Sequence, residues 1–266
     1  MFKRLCLEIG SGHNPMPQAD VLLDKYLDYN GERGGPLKID QRPMVIGDAC
    51  QLPFKDGVFD YVICRHVLEH LIQPEKALRE MMRVGKAGYI ETPSEIAEWL
   101  EPHRPYHRWF VRCVSNELLL APRGSPFHWP LDRVFHQLWR NNFSYRLFYA
   151  TNLDLFLVRY EWQGEIRWRF VDRFDKPLDE VLDFRQTLGQ LIDKILRKLF
   201  AKGKSIYYQH VLKFKSPIDI WSLLACPLCH GDVMCEENFV VCQKCGRHFP
   251  IRSGIPIMLI EEAQMP

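Results

Sequence analysis

The chain has 266 residues, 47% of them hydrophobic, and a formal net charge of +2. This length and apolar content suit one large domain with a true core plus a small one. The longest apolar runs are far too short to cross a bilayer, so no transmembrane segment is expected.

The first predicted element is a short buried strand, Leu5–Ile9, followed directly by Gly10-Ser11-Gly12. Glycine turns tightly and lets the backbone approach a ligand with no Cβ in the way, although an ordinary glycine turn reads the same. The third glycine of a G-x-G-x-x-G dinucleotide motif is missing, and Pro15 stands in its place. A pyrophosphate cradle is therefore not expected, and a nucleoside cofactor without phosphates fits better. Only 13 residues separate Gly10 from Asp24, and they include His13, Asn14, Pro15 and Pro17. The first crossover helix must be short or irregular, because proline breaks helices. A second strand, Val21–Leu23, ends in Asp24, an acid able to accept two hydrogen bonds from a ribose diol. A helix N-cap is the competing role for it. A third run, Val45-Ile46-Gly47, leads to Asp48. Asp48 can accept from an exocyclic amine while the backbone of Ala49 and Cys50 meets an adenine edge; an Asx-turn is the alternative.

A fourth strand, Tyr61–Ile63, leads through Cys64 to Arg65 and His66, which open a predicted helix, VLEHLIQPEKALREMMRV. Val67, Leu68, Leu71 and Ile72 form its apolar stripe. His66 and His70 are four apart and share a face, as a metal pair or as caps of the helix. A fifth strand, Ala87–Glu91, is broken by Thr92-Pro93. Ligands of open α/β sheets bind outside the carboxyl ends of the strands, so four such ends in series point to one nucleoside pocket.

These residues also resemble a family. E-I-G-S-G-x-x-P, then G-D-A-x-x-L-P-F-x-D-x-x-F-D-Y-V, then L-E-H-L, is similar to the class I S-adenosylmethionine-dependent methyltransferases over residues 4–93. The resemblance implies a Rossmann-like α/β sheet. It implies that Glu8, Gly10, Ser11 and Gly12 surround the methionine part of S-adenosylmethionine and that Asp24 binds the ribose. It further implies that Asp48 and Ala49 hold the adenine, with Cys64, Arg65 and His66 lining the sulfonium side. The short first loop resembles methyltransferases of bacterial glycan and cell-surface biosynthesis. The N/D-P-P-Y/F-type motif of amino-group methylation on bases and glutamine is absent after the fourth strand; CRHV stands there.

The middle third carries no catalytic motif. It holds Trp109, Trp129, Trp139, Trp162 and Trp168, and the loop EPHRPYHRW, with His103, Tyr106 and His107, follows the fifth strand. That loop is expected over the methyl-donor site, with aromatics walling an acceptor pocket or simply packing as core. His66 and His107 are the candidate general bases for a hydroxyl acceptor. Leu153–Trp162 and Glu165–Val171 read as a closing hairpin around Gln163-Gly164. Residues 178–200 read as an amphipathic helix with Leu188, Leu191, Ile192, Ile195 and Leu199 on one side and a basic tail, RKLFAKGK. It packs on its own domain or lies peripherally on anionic membrane. The linker is expected near 213–219.

Two Cys-x-x-Cys pairs, Cys226/Cys229 and Cys242/Cys245, lie twelve residues apart. Two such knuckles place four thiolates in a tetrahedron around Zn²⁺, with no open position, so the metal is structural. Two disulfides are the alternative; the other cysteines are scattered singly, which argues against it. C-P-x-C-x-G, then C-x-x-C-G-R-x-F-P-I-R-x-G-I-P-I-M-L, resembles the small zinc-ribbon activator of tRNA, rRNA and release-factor methyltransferases over residues 218–262. The resemblance implies docking on a class I methyltransferase partly by strand addition, here within one chain.

Charge is uneven. Residues 1–100 hold 12 Lys+Arg against 15 Asp+Glu, residues 101–215 hold 20 against 12, and residues 216–266 hold 3 against 6. The basic middle suits an anionic partner, or is a solvated arginine-rich face. Nine cysteines without a disulfide pattern, and a first strand almost at Met1, lead to an expected cytoplasmic location without a secretory leader.

The expectation is thus an S-adenosylmethionine-dependent methyltransferase domain over 1–215, with a cofactor half (1–93) and an acceptor-facing half (94–215), followed by a zinc ribbon over 216–266. A small-molecule, glycan or lipid-linked acceptor is preferred. An RNA or protein acceptor is the runner-up, and a non-catalytic cofactor-binding partner of another methyltransferase is the third reading.

Overall fold

A computed structural model describes residues 5–28, 31, 33–100, 106–124, 132–175 and 218–265. The main sheet has six strands: β1 (Cys6–Ile9), β2 (Val21–Asp24), β3 (Met44–Ile46), β4 (Tyr61–Arg65), β5 (Ala87–Pro93) and β8 (Leu157–Gln163). Their order is β3-β2-β1-β4-β5-β8. The first five are parallel, and β8 runs antiparallel to β5. Strands β1 to β3 are buried along their whole length, as expected of a parallel sheet covered on both faces. The strand order reverses at β1, so the crevice between the β1 and β4 ends is where a ligand would sit.

The predicted helix after β4 is corrected to two pieces. Leu68–His70 forms one 3-10 turn, Leu71 is extended, and α1 runs from Pro74 to Val84. Pro74 sets this boundary: it fits the first helical position, and the residue before a proline is driven out of the helical region. Ala77, Leu78, Met81 and Val84 give α1 one buried face. The fifth strand extends past its predicted end. Thr92 and Pro93 pair with Val158 and Leu157. Proline is tolerated at that last position because the next donor, the Ser94 amide, bonds Phe156 O at 2.9 Å.

After α2 (Glu95–Leu100), β6 (Trp109–Val114) and β7 (Glu117–Pro122) form a hairpin. The helices α3 (Asp132–Asn141), α4 (Phe143–Thr151) and α5 (Leu153–Phe156) lead into β8. The expected closing hairpin does not form as a unit. Its first half begins as α5, and β9 (Trp168–Phe170) leaves the main sheet to pair in parallel with β7. Residues 178–200, His103, Trp129 and most of the expected linker lie outside the described residues.

The C-terminal segment contains α6 (Ile220–Leu223) and a four-stranded antiparallel sheet, β10 (Val233–Glu236), β11 (Phe239–Cys242), β12 (His248–Arg252) and β13 (Ile255–Pro256). This segment grips the β3 edge of the main sheet. The Met258 amide donates to Ile46 O at 2.7 Å, and Ile257 bridges Ile46 in parallel. Lys55 N bonds Leu223 O, and Ala225 N bonds Pro53 O, both at 3.0 Å. Parallel strands normally bring a crossover helix that covers the sheet. Residues 10–20 contain no helix, and neither do the described residues between β2 and β3. Leu22, Met44 and Ile46 are instead covered by Ile255, Ile257 and Leu259. On the opposite face, Ile220, Leu224 and Phe249 join the core of Val21, Leu23 and Val45. Apolar side chains of the small unit therefore cover one face of the sheet edge and share the main core with the other.

Candidate cofactor pocket and metal centre

The glycine loop folds over the end of β2. Gly10 and Ser11 amides both donate to Leu23 O, at 2.8 and 3.1 Å. Gly10 has φ of +69° and Gly12 of +55°, in the left-handed region that glycine tolerates. A Cβ on Gly10 would stand 2.2 Å from Val67 Cγ2. Asp24 holds this loop: Oδ2 accepts from Gly12 N at 2.9 Å, and Oδ1 from Tyr26 N at 3.3 Å. An ionised carboxylate has about four lone-pair sites, so Asp24 retains capacity for a diol.

Glu8 is almost fully buried at the end of β1. Its Oε2 accepts from Met16 N at 2.6 Å, and its Oε1 from Arg65 Nη2 at 3.2 Å. Burial, partly opposed by Arg65, pushes its carboxyl above the usual range. Arg65 also bonds Asn14 O at 3.1 Å, which ties β4 to the first loop. Asp48 follows β3. Its Oδ2 accepts from Lys25 Nζ and its Oδ1 from Cys50 N, both at 2.7 Å. Burial alone would raise its carboxyl, but Lys25 and the Cys50 amide hold it below the usual range. Burial and Asp48 push the Cys50 thiol up to about 12. Ala49 and Cys64 are buried beside these groups.

Two polar atoms at this loop are buried without a hydrogen-bond partner, Ser11 Oγ and Arg65 Nε. Buried polar groups are normally paired. A hydroxyl and a guanidinium N–H beside a glycine turn fit the amino-acid end of S-adenosylmethionine. The sequence did not foretell Lys25 on Asp48; adjacency to Asp24 was the only signal.

His66 stands at the end of β4 with φ of +54°. Its Nδ1 lies 3.6 Å from Glu69 Oε1 and its Nε2 3.6 Å from Glu91 Oε1. Burial opposes the charge, but the two carboxylates win and push the imidazole up to about 9. A protonated imidazole cannot take a proton, so the two carboxylates weigh against His66 as a general base. His66 and His70 do not share a helix, although both approach Glu69. His107 is buried with Nδ1 against Glu98 Oε1, and Glu98 Oε2 is 3.2 Å from Arg123 Nε. Nothing in the sequence marked Glu98; it reaches His107 because α2 folds back after β5.

The four ribbon thiols converge. Cys226 and Cys245 Sγ are 3.7 Å apart, and Cys229 and Cys242 Sγ 3.5 Å apart. All four lie within 4.8 Å of one another. A tetrahedron with 2.3 Å metal–sulfur bonds has edges of roughly 3.8 Å, so the group can hold a metal. Cys235 is exposed on β10 and takes no part.

Residues 25–90 match a family model described as a methyltransferase domain. A demethylmenaquinone methyltransferase of Renibacterium salmoninarum is 40% identical over 85 residues, which cover 30% of this chain and 35% of that protein. The chain thus spans about a third of that relative's length. A UPF0434 protein of Baumannia cicadellinicola is 38% identical over 47 residues, 18% of this chain and 87% of that protein. Among solved structures, the complex between the Haloferax volcanii Trm112 methyltransferase activator and a methyltransferase matches with 14% identity. Its TM-score is 0.35, and the match covers 61% of this chain and 83% of that one. That likeness is too low to argue from.

Proposed function

We propose S-adenosylmethionine-dependent methyl transfer as the activity of this chain, which carries a class I methyltransferase domain and, through a stretch of 47 residues, belongs to the UPF0434 family. The observation that carries the reading is the convergence of four strand ends on one crevice. They bring the Gly10–Gly12 loop, Asp24, Asp48 and Arg65 together with two buried, unpartnered polar atoms. In this reading Ser11 and Arg65 hold the amino-acid end of the donor, Asp24 the ribose diol and Asp48 the adenine amine. Glu8 holds Arg65 in place. The bound donor supplies a methyl group on a sulfonium, already a good electrophile, so alignment supplies much of the rate. In this reading His66, held between Glu69 and Glu91, stays protonated and is not the proton acceptor. The neighbouring cluster of Glu69, His70 and His107, oriented by Glu98, serves the acceptor side.

We divide the chain into a methyltransferase domain over 1–215 and a zinc-ribbon domain over 216–266, with Cys226, Cys229, Cys242 and Cys245 as ligands of one structural Zn²⁺. In this reading the acceptor is a small molecule, glycan or lipid-linked compound, favoured by the short first loop and the aromatic middle third. A cytoplasmic location fits nine cysteines that form no disulfide. Among the described residues no helix is long and apolar enough to cross a membrane. The test is labelled S-adenosylmethionine with the purified chain and pooled cell fractions. Label in lipid or glycan supports the reading. Label in RNA or protein moves the acceptor to the alternative class, and bound donor without transfer makes the chain a cofactor-binding partner.

A further inference from the structure

The 3-10 turn after β4 and the segment leading into β6 bring three potential ligands together. Glu69, His70 and His107 each offer one ligand atom within 4.8 Å of the others. Glu69 is 1% exposed, and neither of its carboxylate oxygens has a hydrogen-bond partner. The nearest side-chain nitrogens are His66 Nδ1 at 3.6 Å and His70 Nε2 at 4.0 Å, both to Oε1 and both beyond hydrogen-bond distance. A carboxylate buried without hydrogen bonds is costly unless a charge compensates it. The His70 and His107 rings meet edge to face, with centroids 4.5 Å apart.

The groups that would orient His107 are already in place. His107 Nδ1 is engaged by Glu98, which is itself anchored by Arg123 at 3.2 Å. A carboxylate on one ring nitrogen fixes the tautomer and leaves the other, Nε2, to bind a metal. The backbone ties the two segments. Arg108 N donates to Glu69 O at 2.7 Å, and Trp109 Nε1 to Leu71 O at 2.8 Å. A ligand from each segment is thereby held without a closing motion of the domain.

We propose that Glu69, His70 and His107 bind a divalent transition-metal cation beside the methyl-donor pocket. Two imidazoles and one carboxylate suit Zn²⁺, Co²⁺ or Fe²⁺ and leave coordination positions open. An open position next to a methyl donor would take an acceptor hydroxyl and lower its pKa, releasing its proton to solvent as the oxygen attacks. This use rests on the methyltransferase reading; the metal site itself does not. A cation there occupies His107 Nε2, so His107 acts as a ligand rather than as the base.

The test is Co²⁺ titration of the full chain, after its ribbon has been loaded with Zn²⁺, read by calorimetry and visible absorption. One further equivalent should bind, with weak d–d bands and no thiolate charge-transfer band. His70→Ala and His107→Ala should abolish that equivalent while leaving ribbon zinc in place. Glu98→Gln should weaken it about ten- to hundred-fold. S-adenosylhomocysteine binding to the same variants reports separately on the fold and the donor pocket. No second equivalent in the wild-type chain, or unchanged Co²⁺ binding in folded His70→Ala and His107→Ala, overturns the site. Absence of S-adenosylhomocysteine binding in the wild-type chain overturns the donor reading and not the metal.

Discussion

At the strand ends, Asp48 already holds Lys25 and Glu8 already holds Arg65; at the knuckles, four thiols face chiefly one another. The two regions gather polar side chains on loops in similar ways but meet their bonding needs differently. Apart from Ser11 Oγ and Arg65 Nε, the pocket's polar groups named above are held by its own hydrogen bonds, so it is expected to stay folded without a ligand. The ribbon's sheet buries few apolar side chains, Val240, Phe249 and Ile255, and the ribbon sets Ile257 and Leu259 against the main sheet, so it is expected to rely on what its thiols bind. Metal affinity at such sites is folding free energy. The two regions are also joined. The Ile46 carbonyl that receives the Met258 amide lies two residues before Asp48, so the ribbon buttresses the strand that presents the acid proposed to hold adenine.

The sharpest way to break the contrast is to remove the proposed zinc. Chelation, or Cys242→Ser, should unfold the ribbon and lower the melting temperature of the whole chain by many degrees. S-adenosylhomocysteine binding should weaken with it, whereas ligand removal alone should leave the pocket folded. Circular dichroism melts with and without chelator check this. A chain cut after Ser216 should behave like the chelated protein. If it melts as high as the full chain and binds equally well, the buttress is not needed.

Ile257→Ala should cost about 2–5 kcal/mol, as for other buried Ile truncations, because Ile257 is 1% exposed between Leu22 and Met44. Urea melts measure it. A cost under 1 kcal/mol would show that the sheet edge is covered without it.

Asp24→Ala should act twice. It removes the proposed diol acceptor and also the partner of the Gly12 amide, a bond worth about 1.5–3 kcal/mol to a charged acceptor. Binding should fall at least tenfold while stability falls moderately. Asp48→Ala should weaken binding with less effect on stability. Calorimetry and melts on both variants separate the two contributions.

The smallest effect expected is the pH dependence carried by His66. Its imidazole is raised from 6.5 to about 9 in the folded chain by Glu69 and Glu91 against the opposing effect of burial. A raised pKa gives stability that is complete below the unfolded value and lost as pH rises through the folded one. Stability should therefore decline between about pH 6.5 and 9, and His66→Gln should flatten that decline. Denaturation at both ends of the window measures it.

The strand ends were legible because each is punctuated by glycine or an acid directly after an apolar run. The knuckles were legible because Cys-x-x-Cys has one strong geometric meaning. The break at Leu71 was less visible, although Pro74 carried the signal. The departure of β9 to a second sheet had none, since its apolar pattern reads equally well in either sheet. Glu69 stood in L-E-H-L, but its burial and its meeting with His107 depend on contacts some forty residues apart. Lys25 on Asp48 and Arg65 on Glu8 were illegible for the same reason.

The central claim is tested most directly by calorimetry of S-adenosylhomocysteine and of NAD on the zinc-loaded full chain. The account predicts saturable binding of one equivalent of S-adenosylhomocysteine, at least tenfold weaker in both Asp24→Ala and Asp48→Ala, and no binding of NAD. Tight binding of NAD, or wild-type affinity for S-adenosylhomocysteine in both variants, would contradict it.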